Sequence, residues 1–318
     1  MTAVRIAVLM TAHNRKQKTL GSLAALYDQR LEAGVELDVF LVDDGSGDGT
    51  SEAVAESFPA VRLVRGSGDL YWGGGMRAAF DAAAAAHTEY EYHLWLNDDT
   101  MLYPTAIETL LATSRALDRS GYPNALITGA TRDPGTRAQV SGGFYFKWHP
   151  IFMRFELVEP SDKPVRCDTT AGNALLIPRQ VFQTLGNLSA DYAHIVVDFD
   201  YGLRAIEHGF TIWTPTGYLG ETPDDHPSRN EIYELPSLRD VFHELRQPKG
   251  LNYGRNFQQR FLPAKEWVRF LRRFRPLGWP VPWVLTYRKL IVLIAGRWVY
   301  RGRKSVSSLM SRRRRSTP

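Results

Sequence analysis

Residues 92–99 read Tyr92-His93-Leu94-Trp95-Leu96-Asn97-Asp98-Asp99, an apolar run of strand length that stops abruptly in three polar residues. The same pattern occurs twice upstream. Residues 5–10 (RIAVLM) lead into Thr11-Ala12-His13-Asn14-Arg15, and residues 37–42 (LDVFLV) lead into Asp43-Asp44-Gly45-Ser46. Uninterrupted apolar runs of this length are strands buried on both faces, as in parallel sheets. Helical spacing fills the intervals: residues 18–31, with Leu20, Leu23, Leu26 and Tyr27 along one face, then 51–58, an Ala-rich stretch 74–87, and 104–117. Residues 61–65 supply one more strand. Strands alternating with helices predict an α/β fold, a mixed but mainly parallel sheet with helices on both faces. In such sheets ligands bind beyond the carboxyl ends of the strands. The three polar clusters therefore mark one functional edge.

Composition narrows the class further. With 318 residues, 44% hydrophobic and 23% charged, the chain has enough apolar material for a sizeable core, which excludes disordered, collagen-like and coiled-coil proteins. A single cysteine, Cys167, excludes an intramolecular disulfide or a cysteine-only metal cluster and suits a reducing compartment. The apolar stretch after Met1 is too short for a secretory signal, so a cytoplasmic location is expected. The net charge of +5 conceals an asymmetry: residues 260–318 hold sixteen Lys and Arg against Glu266 alone, leaving the rest of the chain at −10. An acidic body with a basic tail is not the signature of a nucleic-acid binder. The expected division is a catalytic domain over residues 1–248 and a basic helical region over 249–318.

Each polar cluster admits two readings. Asn97-Asp98-Asp99 can hold a hard divalent cation, Mg or Mn, through its carboxylates, or Asp99 or Thr100 can cap the following helix. Asp43-Asp44-Gly45-Ser46 can accept from a ribose hydroxyl or a pyrimidine N–H, or simply form a tight turn. Gly73-Gly74-Gly75 with Arg77 can cradle a phosphate at a helix N-terminus. Asp198 and Asp200 precede a helical pattern and offer a general base, or a cap and an ion pair to Arg204. His226 can complete a metal site or be an ordinary surface histidine.

Taken together and in order, these pieces resemble a family 2 glycosyltransferase of the GT-A fold, of the rhamnosyltransferase-like kind found in bacterial capsule and O-antigen biosynthesis. The resemblance rests on Thr11 to Arg15, Leu41 to Ser46, the Gly73-Gly74-Gly75 turn, Leu94 to Asp99, Ala171-Gly172-Asn173-Ala174-Leu175-Leu176-Ile177 and the stretch containing Asp198. It implies a nucleotide-diphospho-sugar donor held by Thr11, His13, Asn14, Arg15, Asp43, Asp44, Gly74, Gly75, Arg77 and Asp98. It implies a cation on Asp99 with His226, a sugar or acceptor side formed by Gly172, Asn173 and Trp148, and Asp198 as the base, with Asp200 as fallback. Two departures stand out: Asn97 occupies the first position of the family's DxD element, and Val197 stands where the family has Glu. The implied chemistry is an inverting, metal-assisted displacement by a hydroxyl of a lipid-linked or polysaccharide acceptor. A nucleoside-cofactor methyltransferase is the rival for residues 39–49 (VFLVDDGSGDG), but Arg65-Gly66-Ser67 ends the next strand where that fold places an acid. The absent Glu also keeps open a catalytically inert module.

The basic tail reads as membrane-seeking. Trp267, Phe270, Leu271 and Phe274 fall at helical spacing among Arg269, Arg272, Arg273 and Arg275, an amphipathic pattern. Residues 283–300 are apolar but broken by Arg288 and Lys289, too short a run to span a bilayer. The expectation is peripheral binding to an anionic inner membrane face, with packing on the enzyme body as the alternative.

Overall fold

The computed structural model describes residues 3–148, 153–194 and 196–224, and beyond them short stretches of which the longest is a helix over Ala264–Phe274. The chain begins β1 (Val4–Ala12), α1 (Lys16–Tyr27), β2 (Val35–Asp43), α2 (Thr50–Ser57), β3 (Arg62–Arg65), α3 (Tyr71–Ala85), β4 (Tyr92–Leu96). Each strand falls within two residues of its sequence expectation. The chain continues with β5 (Met101–Leu102), α4 (Ala106–Arg119), β6 (Leu126–Thr128), β7 (Thr131–Arg132), β8 (Gln139–Ser141), β9 (Gly143–Trp148) and β10 (Met153–Leu157). Then come β11 (Val165–Cys167), β12 (Thr169–Thr170), β13 (Ala174–Pro178), α5 (Arg179–Leu185), α6 (Val197–Glu207), β14 (Ile212–Thr214) and β15 (Gly220–Glu221).

Eight strands form the main sheet in the order β11-β14-β6-β13-β4-β1-β2-β3. The segment β3-β2-β1-β4 is parallel throughout, because each connection is a crossover helix. Strand β13 then runs antiparallel to both β4 and β6. The sheet is thus mixed, and that reversal matters: it brings the start of β13 beside the end of β4, with Ala174 opposite Leu96. Residues Ile6 to Met10 are fully buried on both faces, which explains why β1 reads as an unbroken apolar run rather than an alternation. Under the sheet, α4 packs Ile107, Leu110, Leu111 and Leu117 into the same core as Ile6, Val8, Leu23 and Leu94. Glu108 near its start and Arg119 at its end suit the helix dipole.

Contacts divide the chain into two compact units, residues 1–149 with 153–224, and residues 150–152 with 225–318. The sequence boundary at residue 248 lies outside the described residues. Within the second unit, α7 (Ala264–Phe274) buries Val268, Phe270 and Leu271 and exposes Arg269, Arg272 and Arg273. The part of the apolar stripe carrying Phe270 and Leu271 is buried, so α7 presents its arginines. The exposed apolar residues lie further on, at Val284, Ile291, Val292, Trp298 and Val299. No helix among the described residues is long and apolar enough to cross a membrane.

Candidate active site

The in-register pairing of β1 with β2, ending at Ala12 opposite Asp43, puts the loops after both strands side by side. They are latched together. The Asn14 N–H donates to Ser46 Oγ at 2.8 Å, Gly47 N–H to Asn14 Oδ1 at 2.8 Å and Lys16 N–H to Asp48 Oδ2 at 2.9 Å. Asn14 adopts φ 51°, a left-handed conformation that asparagine tolerates better than most residues. His13 Nδ1 lies 2.5 Å from the Asp44 carbonyl and its Nε2 2.9 Å from Asn14 Nδ2. A carbonyl only accepts and an amide NH2 only donates, so these partners place the ring proton on Nδ1. Asp43 is buried, accepting from Ser46 N–H at 3.0 Å and from the Ser51 hydroxyl.

Arg15 joins this edge to the end of β4. Its guanidinium donates to Asp98 Oδ1 at 3.0 Å and to Asp99 Oδ2 at 2.5 Å. Both carboxylates are buried, and Asp98 Oδ2 and Asp99 Oδ1 have no hydrogen-bond partner among the described residues. Burial pushes the Asp98 carboxyl up to about 7 against the pull of Arg15, and the Asp99 charge adds to the rise. Burial works against the Arg15 charge, but Asp98 and Asp99 outweigh it and its pKa rises. One arginine thus faces two acids that still have buried oxygens to satisfy. Two carboxylates with lone pairs to spare are what a hard divalent cation takes, and the donor set fits one. Among the described residues no third His, Cys, Asp or Glu joins them. Any further ligands would come from outside that set. His226 lies outside the described residues.

The carboxamide of Asn97 is otherwise engaged, accepting from the Trp72 indole N–H at 2.8 Å. Its backbone N–H donates to the Asn173 carbonyl at 3.1 Å, tying β4 to the turn before β13. Asn173 is fixed in turn by Ser141 Oγ at 2.8 Å. Next in the same turn, Gly172 N–H donates to Asp198 Oδ2 at 3.2 Å. Asp198 occupies the first turn of α6, half-buried, behind Val196, whose φ of 60° is strained for a β-branched residue.

The structure separates the two acids of α6. Asp200 is fully buried and paired with Arg204 at 2.8 Å, while Arg204 also donates to the carbonyls of Leu185 and Asn187. The fallback reading of Asp200 as a base is therefore corrected to the ion-pair alternative.

Several residues expected on the donor make framework contacts. The helix α3 starts at Tyr71, so Gly73, Gly74 and Gly75 lie inside its first turns and are buried, not on a free turn before it. A Cβ on Gly75 would sit 2.0 Å from Thr11 Oγ1, and one on Gly73 2.8 Å from the Ala193 carbonyl. The glycines let the helix backbone touch β1 and the loop leading to α6, which is a packing role. Thr11 lies against Gly75, and Arg77 donates to the carbonyls of Ser189 and Tyr192. Asp44 spends its carboxylate on the N–H groups of Gly68, Leu70 and Tyr71 at 2.7–3.0 Å, anchoring the start of α3. Trp148 ends β9, paired with Met153. Trp72 was not among the residues expected at the site. The signal was a large indole beside three glycines, which need small neighbours only if something bulky sits close.

The sheet order, the crossover helices and the acidic strand ends define a GT-A fold. Two solved structures share it: the mannosyltransferase PcManGT from Pyrobaculum calidifontis, in complex with GDP-Man and Mn2+, at TM-score 0.50 and 14% identity over 98% of this chain and 79% of that one, and S. aureus TarS 1-349 in complex with UDP, at TM-score 0.51 and 13% identity over 73% and 63%. The chain belongs to glycosyl transferase family 2, whose model matches residues 7–174. Among curated proteins it is 28% identical over 200 residues to an N-acetylglucosaminyl-diphospho-decaprenol L-rhamnosyltransferase of Mycobacterium tuberculosis, covering 57% of this chain and 64% of that protein. It is 26% identical over 229 residues to human polypeptide N-acetylgalactosaminyltransferase 16, covering 68% of this chain and 38% of that protein. The chain thus spans somewhat under two thirds of the first relative's length.

Proposed function

We propose that this protein is an inverting glycosyltransferase that moves a sugar from a UDP- or dTDP-linked donor to a hydroxyl of a lipid-linked or polysaccharide acceptor. The observation that carries the proposal is the pair of buried carboxylates, Asp98 and Asp99, with oxygens left over, on the same sheet edge as the Asp198 carboxylate. Asp98 and Asp99 would hold a divalent cation, Mg or Mn. When bound, that ion would act as a Lewis acid on the diphosphate leaving group. Arg15 stands beside both acids, placed to share its charge with a phosphate once they are otherwise neutralised. His13, Asn14 and the turn capped by Asp43 form the nucleotide side.

Asp198 supplies the other half. Its Oδ2 is held by Gly172 N–H, and a carboxylate fixed in this way can take the acceptor hydroxyl's proton as the hydroxyl attacks, which is worth roughly 10²–10⁴-fold. A single base opposite the leaving group gives one displacement and inversion at the anomeric carbon. The family lineage favours transfer over methylation and over an inert module. The decaprenol-linked substrate in the name of the mycobacterial relative supports a lipid-linked acceptor, and with it a place on the cytoplasmic face of a membrane in cell-envelope polysaccharide synthesis. The exposed arginines of α7 and the exposed apolar residues after it suit an anionic surface.

The test is a thermal-shift panel of UDP-, dTDP- and GDP-sugars, each with and without Mn2+. Stabilisation by one UDP- or dTDP-sugar that requires the metal is the expected result. Stabilisation by S-adenosylmethionine, or by no nucleotide sugar, would overturn the reading.

A further inference from the structure

Asn97 stands where the family's metal element begins, and its side chain is directed elsewhere. Its Oδ1 accepts the Trp72 indole N–H at 2.8 Å. The same indole lies against Gly172: a Cβ built there would come within 2.3 Å of the ring's Cζ2 and 2.5 Å of its Cη2. Gly172 in turn donates to Asp198 at 3.2 Å. Behind it the ring packs edge-on against fully buried Trp95, centroids 5.9 Å apart. Trp72 follows Tyr71, whose φ of 55° is held by the Asp44 carboxylate on its N–H at 3.0 Å. The ring is therefore fixed at its root, its edge and its N–H.

We propose that Trp72 is a positioning residue of the transferase site: its indole holds Asn97 on one side and the Gly172 backbone, and through it Asp198, on the other, so that one side chain sets the spacing between the acidic pair of β4 and the base of α6. This rests on the transferase reading above and deepens it. It also accounts for two features of the sequence. Asparagine is suited to this position because its carboxamide oxygen accepts the indole N–H without adding a third negative charge beside Asp98 and Asp99. Glycine is needed at 172 because any Cβ would enter the ring. A shift of about 1 Å between reacting groups can cost 10²-fold in rate, so the contact has consequences although Trp72 takes no part in bond making.

The test compares the wild type with Trp72→Phe, which keeps a ring and loses the N–H, Trp72→His, whose ring can still donate, and Asn97→Ala. Mn2+ binding is read by electron paramagnetic resonance. Turnover is read with dTDP-rhamnose and UDP-N-acetylglucosamine as donors, water serving as acceptor where no other is known. The expected result is a fall in kcat for Trp72→Phe on the order of tenfold to a hundredfold, with donor KM and Mn2+ affinity within about threefold of wild type, and partial recovery in Trp72→His. A merely structural role would lower the melting temperature without this split and without rescue by histidine. Unchanged kcat in Trp72→Phe overturns the proposal. Ligand-free thermal denaturation of Trp72→Phe, Asn97→Ala and the double variant supplies an independent reading: the single effects should not add, and full additivity also overturns it. If the wild type takes neither donor nor Mn2+, the transferase reading fails, and the denaturation cycle still decides whether Trp72 and Asn97 are coupled.

Discussion

The guanidinium of Arg15 sits 3.0 Å from Asp98 Oδ1, and so the protein itself supplies part of the positive charge that the acidic pair demands. Arg15 and a bound cation would then share the same two carboxylates, so their positive charges oppose each other. Replacing Arg15 by Gln should tighten Mn2+ binding in the absence of nucleotide by roughly threefold to tenfold, since a nearby like charge opposes the incoming ion. The same variant should bind Mn2+ with UDP or dTDP more weakly, because the phosphate loses its arginine. Resonance titration of Mn2+ with and without nucleotide separates the two effects. Equal loss in both titrations would mean that Arg15 only supports the loop.

The buried Asp98 gives the site a pH dependence whose sign is fixed. Its carboxyl keeps its proton up to about 7 in the folded protein, whereas an unfolded aspartate releases it near 4. Between those values the folded state holds more protons, so without cation the stability falls as pH rises through that window. A cation needs the ionised form. Mn2+ affinity should therefore rise by up to about tenfold per unit from pH 5.5 to 7 and level off above it, with proton release on binding. Calorimetry in buffers of different ionisation heat measures that release, and Asp98→Asn should abolish it.

The parallel half of the fold could be read directly because buried strands announce themselves as unbroken apolar runs, as Ile6 to Met10 and Leu94 to Leu96 show. Their polar ends gave the sheet edge, and with it Arg15, Asp43, Asp98 and Asp99. The reversal at β13 left no such mark, since a strand's direction is not encoded in its hydrophobicity. The glycines of α3 were ambiguous for a related reason: glycine signals close approach of something, and the structure shows Thr11 beside Gly75 and Ala193 beside Gly73. The hold of Asp44 on the start of α3 was not legible, because a carboxylate that caps a distant helix has no short-range signature. Trp72 escaped notice because its partners, Asn97 and Gly172, are brought together only by tertiary structure.

The two acids of α6 should fail in different ways. Asp198→Asn removes a base while keeping a group that can accept from Gly172 N–H, so melting temperature and Mn2+ binding should stay near wild type while transfer falls at least a hundredfold. Asp200→Asn strips the partner from Arg204, whose side chain is largely buried, and breaking such a pair costs about 3–5 kcal/mol. Thermal denaturation alongside a transfer assay distinguishes them. A stable Asp200→Asn with no activity would return Asp200 to the catalytic machinery.

The glycines of α3 make a graded prediction. A methyl at 75 meets Thr11 Oγ1 at 2.0 Å and its Cβ at 2.7 Å, whereas at 74 the nearest atom is Leu70 Cβ at 3.0 Å. Gly75→Ala should destabilise by about 1–3 kcal/mol through overpacking. Gly74→Ala should cost less, because alanine's better helix propensity, worth up to about 1 kcal/mol, offsets a tight contact. Chemical denaturation of both variants gives the order. If both bind nucleotide as the wild type does, the packing role is separated from any phosphate contact; a selective loss of nucleotide affinity in a well-folded Gly74→Ala would restore the cradle.

Membrane binding, finally, should divide into two components with different salt dependence. The exposed Arg269, Arg272 and Arg273 act through charge, each contributing on the order of 1 kcal/mol at an anionic surface, and that contribution is screened as the Debye length shrinks from about 8 Å to 3 Å between 0.15 M and 1 M salt. Trp298, which is 74% exposed, and Ile291, at 68%, act by burying apolar surface, which salt does not weaken. Replacing the three arginines by Gln should therefore reduce binding to phosphatidylglycerol vesicles on the order of a hundredfold at 0.15 M salt and hardly at all at 1 M. Replacing Ile291 and Trp298 by Ser should reduce it at both. Flotation that is indifferent to all five substitutions would place the acceptor's delivery elsewhere on the molecule, and would leave the basic tail as a packed part of the protein.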